Sequence, residues 1–412
     1  MSEWNSTRSA QLSRRRMLRN SLAFGGVASL GGCATAPRGP TLSKTATLPV
    51  ENIPPKLAPV RAHPDRLFDI TVCLRPFRPK GPRLDTEHIG DTFVVHNYGH
   101  GGSGWSLSWG SAAIAVGKAI ATGPKEIAVI GCGAIGLTSA ITAQRWGAKV
   151  TIYTRELMPR TRSYRATGLW TPDSRISLTE PAGPQFGALW EQMARTSFKT
   201  YRSYLGLPGR PVEWIDGYEL SDIPFDRVHA EDEKLDTLGF GSYSDRISDI
   251  TPRPQMLPDG ANPFPVKYAQ RSEIMMFNIP AYGHTLLSDF YAAGGTIEIR
   301  EFHHPSQLAG LKEKVVINCP GYAARALWKD DSLVPVRGQN GWLIPQPEVN
   351  YFFDYKDVSV VSRRDGILVQ ALEGGDLKGY GDSNERINRA ESVNAVNIIE
   401  SLYARFPQAS ET

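Results

Sequence analysis

Six residues, Gly131-Cys132-Gly133-Ala134-Ile135-Gly136, have the spacing GxGxxG. Such a run does chemistry only by letting main chain approach a ligand. Gly131 suits a tight turn, Gly133 a close approach of backbone to a pyrophosphate, and Gly136 a close helix–strand contact. Ala134 and Ile135 open a helix whose unpaired N–H groups and dipole favour an anion. The flanks supply the elements that must position this turn. Ile127-Ala128-Val129-Ile130 reads as a buried parallel strand, Leu137 to Trp146 as a helix, and Lys149 to Tyr153 as a second strand. Arg155 and Glu156 follow that strand. A carboxylate there accepts the hydroxyls of an adenosine ribose, whereas an arginine marks a 2′-phosphate, so Glu156 is assigned to the ribose beside Arg155.

A second glycine-rich stretch precedes this unit. Thr92 to His96 reads as a strand, Asn97-Tyr98-Gly99-His100-Gly101-Gly102-Ser103-Gly104-Trp105-Ser106 as a loop, and Trp109 to Ile120 as a helix. Its glycines expose backbone N–H groups to an anion or an electron-rich ring. Gly102-Ser103-Gly104 lacks the GxSxG spacing of a nucleophile elbow, which argues against a hydrolase. His96 and His100 do not share a helix face and show no carboxylate partner in sequence, so no metal site is expected. His303-His304 reads as a solvated loop pair.

Three stretches together resemble the D-amino acid oxidase family of FAD enzymes. They are His96 to Trp105, the fingerprint at 131–136, and Ala166-Thr167-Gly168-Leu169-Trp170-Thr171-Pro172. Leu74-Arg75-Pro76-Phe77-Arg78-Pro79, Ile317-Asn318-Cys319-Pro320-Gly321 and Val336-Arg337-Gly338-Gln339 add to the likeness, which spans roughly residues 66 to 406. The order differs. In that family the Arg-Pro strand and the His-Asn-Tyr-Gly-His loop lie near the C-terminus, whereas here both precede the βαβ unit. The resemblance therefore implies a circular permutation, with 121–125 as the new connector.

The implied fold is α/β: a doubly wound Rossmann-type FAD domain (76–172 plus 296–330) with a mixed-sheet α+β substrate domain (61–75 plus 173–295 plus 331–412). The implied chemistry is oxidation of the amine of a D-amino acid or related amino-carboxylate. Hydride passes to flavin N5, the imine yields an oxo acid and ammonia, and molecular oxygen gives hydrogen peroxide. Arg75 would bind the substrate carboxylate through its planar fork, and the Gly102 carbonyl would accept from the amine. The backbone of Gly101, Ser103, Gly104, Trp105 and Ser106 would lie along the flavin. Arg162, Ser163, Thr167, Gly168 and Leu169 would approach flavin and phosphates, with Phe302 near the adenine and Gly321 also in the site. The family's two lid tyrosines have no counterpart in Val358 to Arg364. Tyr351, Tyr355 or Trp105 would then have to rebuild the lid, unless the substrate is not a free D-amino acid. Arg363 and Arg364 read first as exposed arginines, and second as a cradle for an extra acidic group. The alternatives are an exported FAD-binding redox or scaffold lipoprotein, and an amine dehydrogenase using another acceptor.

The chain of 412 residues carries a net +4, 41% hydrophobic and 21% charged residues. Residues 1–60 hold eight Lys/Arg against Glu3 and Glu51, so the remainder is at −2 and nothing in it suggests nucleic acid. Ser13-Arg14-Arg15-Arg16-Met17-Leu18 has a twin-arginine pattern, and Leu30-Gly31-Gly32-Cys33 resembles a lipobox. Residues 1–33 are expected to be a lipoprotein signal and the proline-rich 34–60 a tether. These give a periplasmic protein that meets the membrane only through a lipid on Cys33. Cys73, Cys132 and Cys319 read as buried thiols. Oligomeric state is not legible.

Overall fold

The computed structural model describes residues 55–228, 236–258 and 260–406. The expected signal and most of the tether lie outside them. Fourteen strands form two sheets among the described residues, and period-2 alternation decides what each sheet faces.

The first sheet has six strands: β2 (Thr86–Ile89), β3 (Thr92–His96), β4 (Glu126–Ile130), β5 (Lys149–Thr154), β9 (Thr296–Ile299) and β10 (Val315–Asn318). Their order is β2-β3-β10-β4-β5-β9, all parallel except the β2 edge. Val95, Ile127, Val129, Ile152 and Ile317 point to the face covered by α1 (Gly104–Ile120), α2 (Ala134–Arg145), α3 (Phe186–Tyr201) and α4 (Ile279–Ala292). The helices α3 and α4 lie within the segment 173–295 read as substrate-domain material, yet Trp190, Met193, Tyr282 and Phe290 join this core. Val94, Ala128, Ile130 and Val316 face the other way, against Leu308, Leu311 and Leu327. Among the described residues the helices on that side are short, Pro305–Gly310 and Ala324–Leu327. The sheet is thus less evenly wound than expected, because the short connection from β9 to β10 has no room for a long helix.

The second sheet has eight strands: β1 (Leu67–Phe77), β6 (Val212–Ser221), β7 (Gln255–Met256), β8 (Tyr268–Phe277), β11 (Val334–Leu343), β12 (Tyr351–Tyr355), β13 (Val358–Arg363) and β14 (Gly366–Ala371). They run β1-β11-β14-β13-β12-β6-β8-β7. Tyr351, Phe353, Tyr355, Val360, Ile367 and Val369 pack beneath α5 (Arg389–Tyr403), whose Ala395, Val396, Ile399 and Leu402 complete that core. Their neighbours in sequence, Phe352, Val361, Leu368 and Trp342, cluster on the opposite face with Leu169 and Met276.

Two expectations fail on this alternation. Tyr351 donates to Ala58 O and pairs with Tyr403, and Tyr355 donates to Asp222, so both tyrosines serve the α5 face and cannot roof a site on the other. Arg363 is buried rather than exposed. It bonds Asp365 and Ala166 O and lies 4.8 Å over the Trp342 ring. Arg364, one residue on, is exposed and 3.6 Å from Glu213.

The Arg363–Asp365 pair should be costly to break, since removing one partner leaves an uncompensated buried charge. Asp365→Ala is expected to lower stability by about 2–4 kcal/mol, at or below the range for buried pairs because Asp365 is partly solvated. The added change Arg363→Leu should recover part of that loss. Urea unfolding of the three proteins checks both.

Candidate functional site

The two sheets meet at a cavity of about 270 Å³. One wall comes from the C-terminal ends of the parallel strands. Gly131 has φ +97° and its Cα lies so close to Cys319 that an added Cβ would stand 2.5 Å from the carbonyl oxygen. At Gly136 a Cβ would stand 2.0 Å from Gly131 O, the close helix–strand contact expected of the third glycine. The helix α2 has Gly133 as its N-cap and no side-chain cap of its own. Ala134 N–H donates to Ser163 Oγ at 3.0 Å, which brings the 161–167 segment across this helix end. Gly133, Ala134 and Ile135 all line the cavity.

At the end of β5, Arg155 and Glu156 line the same cavity with Phe302. Arg155 is 3.1 Å from Glu301 and 3.6 Å from Glu156, so its fork is shared between two carboxylates. Phe302 packs edge-on to Tyr153 and carries Arg300 over its ring at 4.9 Å.

The opposite wall is the second sheet. Arg75 and Cys73 are two residues apart on β1 and both line the cavity, as do their β11 neighbours Gly338 and Asn340. The Arg75 guanidinium lies flat against Gly338, where a Cβ would stand 2.5 Å from Nη2, and Nη1 donates to Arg337 O at 3.4 Å. Any side chain at 338 would push the fork away. Gly101, Gly102, Gly104 and Trp105 close the gap between the walls, with Trp105 Nε1 donating to Ser163 O.

Of the remaining expected residues, Arg162, Ser163, Thr167 and Gly321 line the cavity. Ser103, Ser106, Gly136, Gly168 and Leu169 do not. Ser103 Oγ donates to Thr171 O and Ser174 O, and Ser106 Oγ accepts from Thr171 N, so these hydroxyls fasten the 171–174 loop from behind. Gly168 lies against Phe277 O, and Leu169 is part of the apolar cluster on the sheet face. Lining residues missed in the sequence include Cys73, Asn340, Tyr153, Arg165 and Tyr322. For Cys73 the signal was available, because a residue two before Arg75 on a strand shares its face.

His96 corrects another expectation: it does have a carboxylate partner. Its Nε2 is 2.6 Å from Glu87 on β2, a strand not read from sequence, and its Nδ1 is 3.0 Å from the Asn318 amide. With Nδ1 accepting from Asn318, Nε2 carries the proton toward Glu87. Burial and the Arg83 charge hold its pKa below the ordinary value, against the pull of Glu87. Among the described residues no group of His, Cys, Asp or Glu could hold a metal. Burial pushes the Cys132 and Cys319 thiols up to about 12, leaving them protonated, and Cys73 is raised in the same direction.

The donor set fits a dinucleotide. The glycine cradle would clash with any Cβ, the α2 terminus opens on the cavity, and a carboxylate stands at the end of β5. Four lining residues also hold buried polar atoms without protein partners: His100 Nε2, Thr161 Oγ1, Arg162 Nε and Asn340 Oδ1.

Comparison with known proteins agrees. The family described as DAO, FAD dependent oxidoreductase, matches residues 126–412, more than half of the chain. The chain belongs to this family. A D-amino-acid oxidase of Streptomyces coelicolor is 30% identical over 220 residues, 52% of this chain and 58% of that protein. One from Rubrobacter xylanophilus is 32% identical over 213 residues, 51% of this chain and 57% of that protein. The chain thus spans somewhat over half the length of the curated relatives it matches. Glycine oxidase from Geobacillus kaustophilus superposes with a TM-score of 0.49 at 16% identity, over 68% of this chain and 78% of that one.

His100 generates a pH prediction. Burial depresses its pKa to about 3. Above about pH 6.5 the imidazole is neutral in both folded and unfolded chains and contributes nothing. As pH falls from 6.5 toward 3, the unfolded chain takes up a proton that the folded chain refuses, so stability is lost. Between pH 6.5 and 5 this group should cost about 1.5 kcal/mol. His100→Asn should show a correspondingly smaller loss over that interval, and urea unfolding at the two pH values measures it.

Proposed function

We propose that this protein is an FAD-dependent oxidase acting on the amine of a small amino-carboxylate, with D-amino acids as the substrate class. The observation that carries the reading is that the dinucleotide cradle, Arg75 and the Gly101–Gly102 backbone border one cavity. The names of the relatives at 30% and 32% identity support the substrate class.

In this reading Gly131, Gly133 and the first turn of α2 hold the pyrophosphate, and Glu156 accepts from the adenosine ribose. Bound FAD supplies the two-electron acceptor, which molecular oxygen regenerates. Arg75 binds the substrate carboxylate through both oxygens and so fixes which hydrogen of the substrate faces the cofactor. The Gly102 carbonyl accepts from the neutral amine. Trp105, held by its bond to Ser163 O, excludes water from this side of the cavity and strengthens the Arg75–carboxylate pair. One observation favours the second reading, an FAD-binding redox or scaffold protein without oxidase turnover: β13 presents Ser359, Val361 and Arg363 to this side of the sheet, and no tyrosine.

Anaerobic titration of the purified flavoprotein with D-amino acids separates the two. Bleaching of the flavin bands is expected for the oxidase, and bands that never bleach would support the binding role. Arg75→Leu should keep the flavin spectrum but raise the half-saturating substrate concentration by roughly 30-fold to several-thousand-fold, the equivalent of about 2–5 kcal/mol. Arg75→Lys should recover only part, since an ammonium lacks the bidentate fork. Unchanged half-saturation in Arg75→Leu would remove Arg75 from the site.

We also propose that the chain is a circular permutation of its family's order. Supporting this, the family match begins at residue 126, yet β1 and β3 before it are members of the two sheets. The connector 121–125 joins α1 to β4, and the two ends of the described chain adjoin, with His63 Nε2 3.8 Å from Glu400. Joining Phe406 to Arg66 by a short linker and reopening at Gly123-Pro124 should give a soluble protein that retains FAD. An insoluble, flavin-free product from a well-behaved parent would count against permutation.

A further inference from the structure

Asn340 stands on β11 two residues beyond Gly338, the glycine that carries the Arg75 guanidinium. Gln339 between them turns to the other face, where it donates to Asn388 O and Ser392 Oγ. No side chain on β11 therefore separates Arg75 from Asn340, and both line the cavity. Two strand residues span roughly 6–7 Å, the reach of a glutamine-length side chain rather than that of serine.

The Asn340 amide is oriented by its nitrogen. Nδ2 donates to Arg165 O at 2.8 Å, so Oδ1 is turned away from that carbonyl. Oδ1 is buried and accepts from no protein donor, in a residue only 4% exposed. Flipping the amide would set two carbonyl oxygens against each other. A buried acceptor held in this way carries its desolvation cost until a donor reaches it. In a cavity that admits a substrate, the substrate can bring that donor.

Charge narrows what the donor is. Cys73 lies diagonally across from Asn340 on the same face, since it pairs with Gly338 while Thr71 pairs with Asn340. Burial raises the Cys73 thiol above its ordinary value, and the charges of Arg75, Arg162 and Arg165 all pull it down. A cationic side chain here would share the patch with these guanidinium groups. A carboxylate would turn lone pairs toward Oδ1, and would find Arg162 paired with Glu385 and Arg165 donating to Val72 O. A hydrocarbon would bury Oδ1 unpaired. A neutral N–H donor meets none of these costs.

We propose that Asn340 is a specificity-determining residue of the Arg75 cavity, accepting from the carboxamide of a glutamine-length amino-carboxylate. The assignment of Arg75 to the substrate carboxylate is presupposed, whereas turnover is not.

Carboxylates without an amine separate the two, because they bind without being oxidised. The flavin-loaded protein is titrated with glutaramate, with glutarate and with 5-methylhexanoate, the apolar isostere, and the shift of the visible flavin band is followed. Glutaramate should half-saturate at a concentration at least about tenfold below the other two, because a site built to bond an N–H rejects the analogue that lacks it. Asn340→Leu should bring glutaramate and 5-methylhexanoate within about twofold of each other, and Arg75→Leu should weaken all three ligands together. Equal affinities in the parent protein, a preference for glutarate, no shift with any ligand, or a preference kept in Asn340→Leu would overturn the proposal. Were Asn340→Leu to lose its flavin, the ranking on the parent protein would still decide. Flavin that no D-amino acid bleaches, with glutaramate still preferred, would remove the oxidase and keep this subsite. Bleaching by D-alanine with no preference among the three would do the reverse.

Discussion

The alternation of side chains across the eight-stranded sheet is the constraint on which the rest of this structure depends. Successive residues must face opposite ways, so every functional assignment on β1, β11, β12 and β13 is also an assignment of a face. Cys73 and Arg75 share the cavity face of β1 because only Leu74 stands between them. Phe352 and Asp354 face one way, and Tyr351, Phe353 and Tyr355 face the other. A one-residue slip in β12 would put tyrosines over the site face and an aspartate into the α5 core, which the pairing Phe352↔Val361↔Leu368 forbids.

A second tier of structure holds the parallel strands against this sheet. The main chain approaches itself closely at Gly131, Gly136 and Cys319, and the guanidinium of Arg75 lies on Gly338. Polar side chains behind the 97–100 loop do the corresponding work. Asn97 bonds Ser139 and Ser111, Tyr98 bonds Asp330 and Arg83, and Arg83 with Glu87 and His96 continues the chain to Asn318. A buried network of this kind resists partial loosening, because each unpaired member would carry its full desolvation cost. The loop is therefore held from behind while its glycines face the cavity.

The βαβ unit was legible because its information is local: a strand, a turn needing glycine, a helix and a carboxylate, all within thirty residues. Helix α1 was legible too, though it begins at Gly104 rather than Trp109, since Ser103 sits at its start without the side-chain bond of a usual cap. What escaped was non-local. Glu87 meets His96 only once β2 folds back on β3 as a hairpin, and Thr86 to Ile89 is too short and too exposed to show a pattern. Arg363 next to Arg364 reads as a surface pair until the sheet buries the first and leaves the second in solvent. Tyr351 and Tyr355 failed as lid candidates because proximity in sequence to the site strand says nothing about face.

The packing of the chain ends bears on how the molecule is presented. Val60 and Ala62 sit in the core beneath α5, and Tyr351 ties Ala58 to Tyr403. Residues 58–62 thus lie on the side of the eight-stranded sheet that carries α5, with the thickness of that sheet between them and Arg75. A label fixed at Ala58 would therefore lie behind that sheet and leave the mouth of the Arg75 cavity unobstructed.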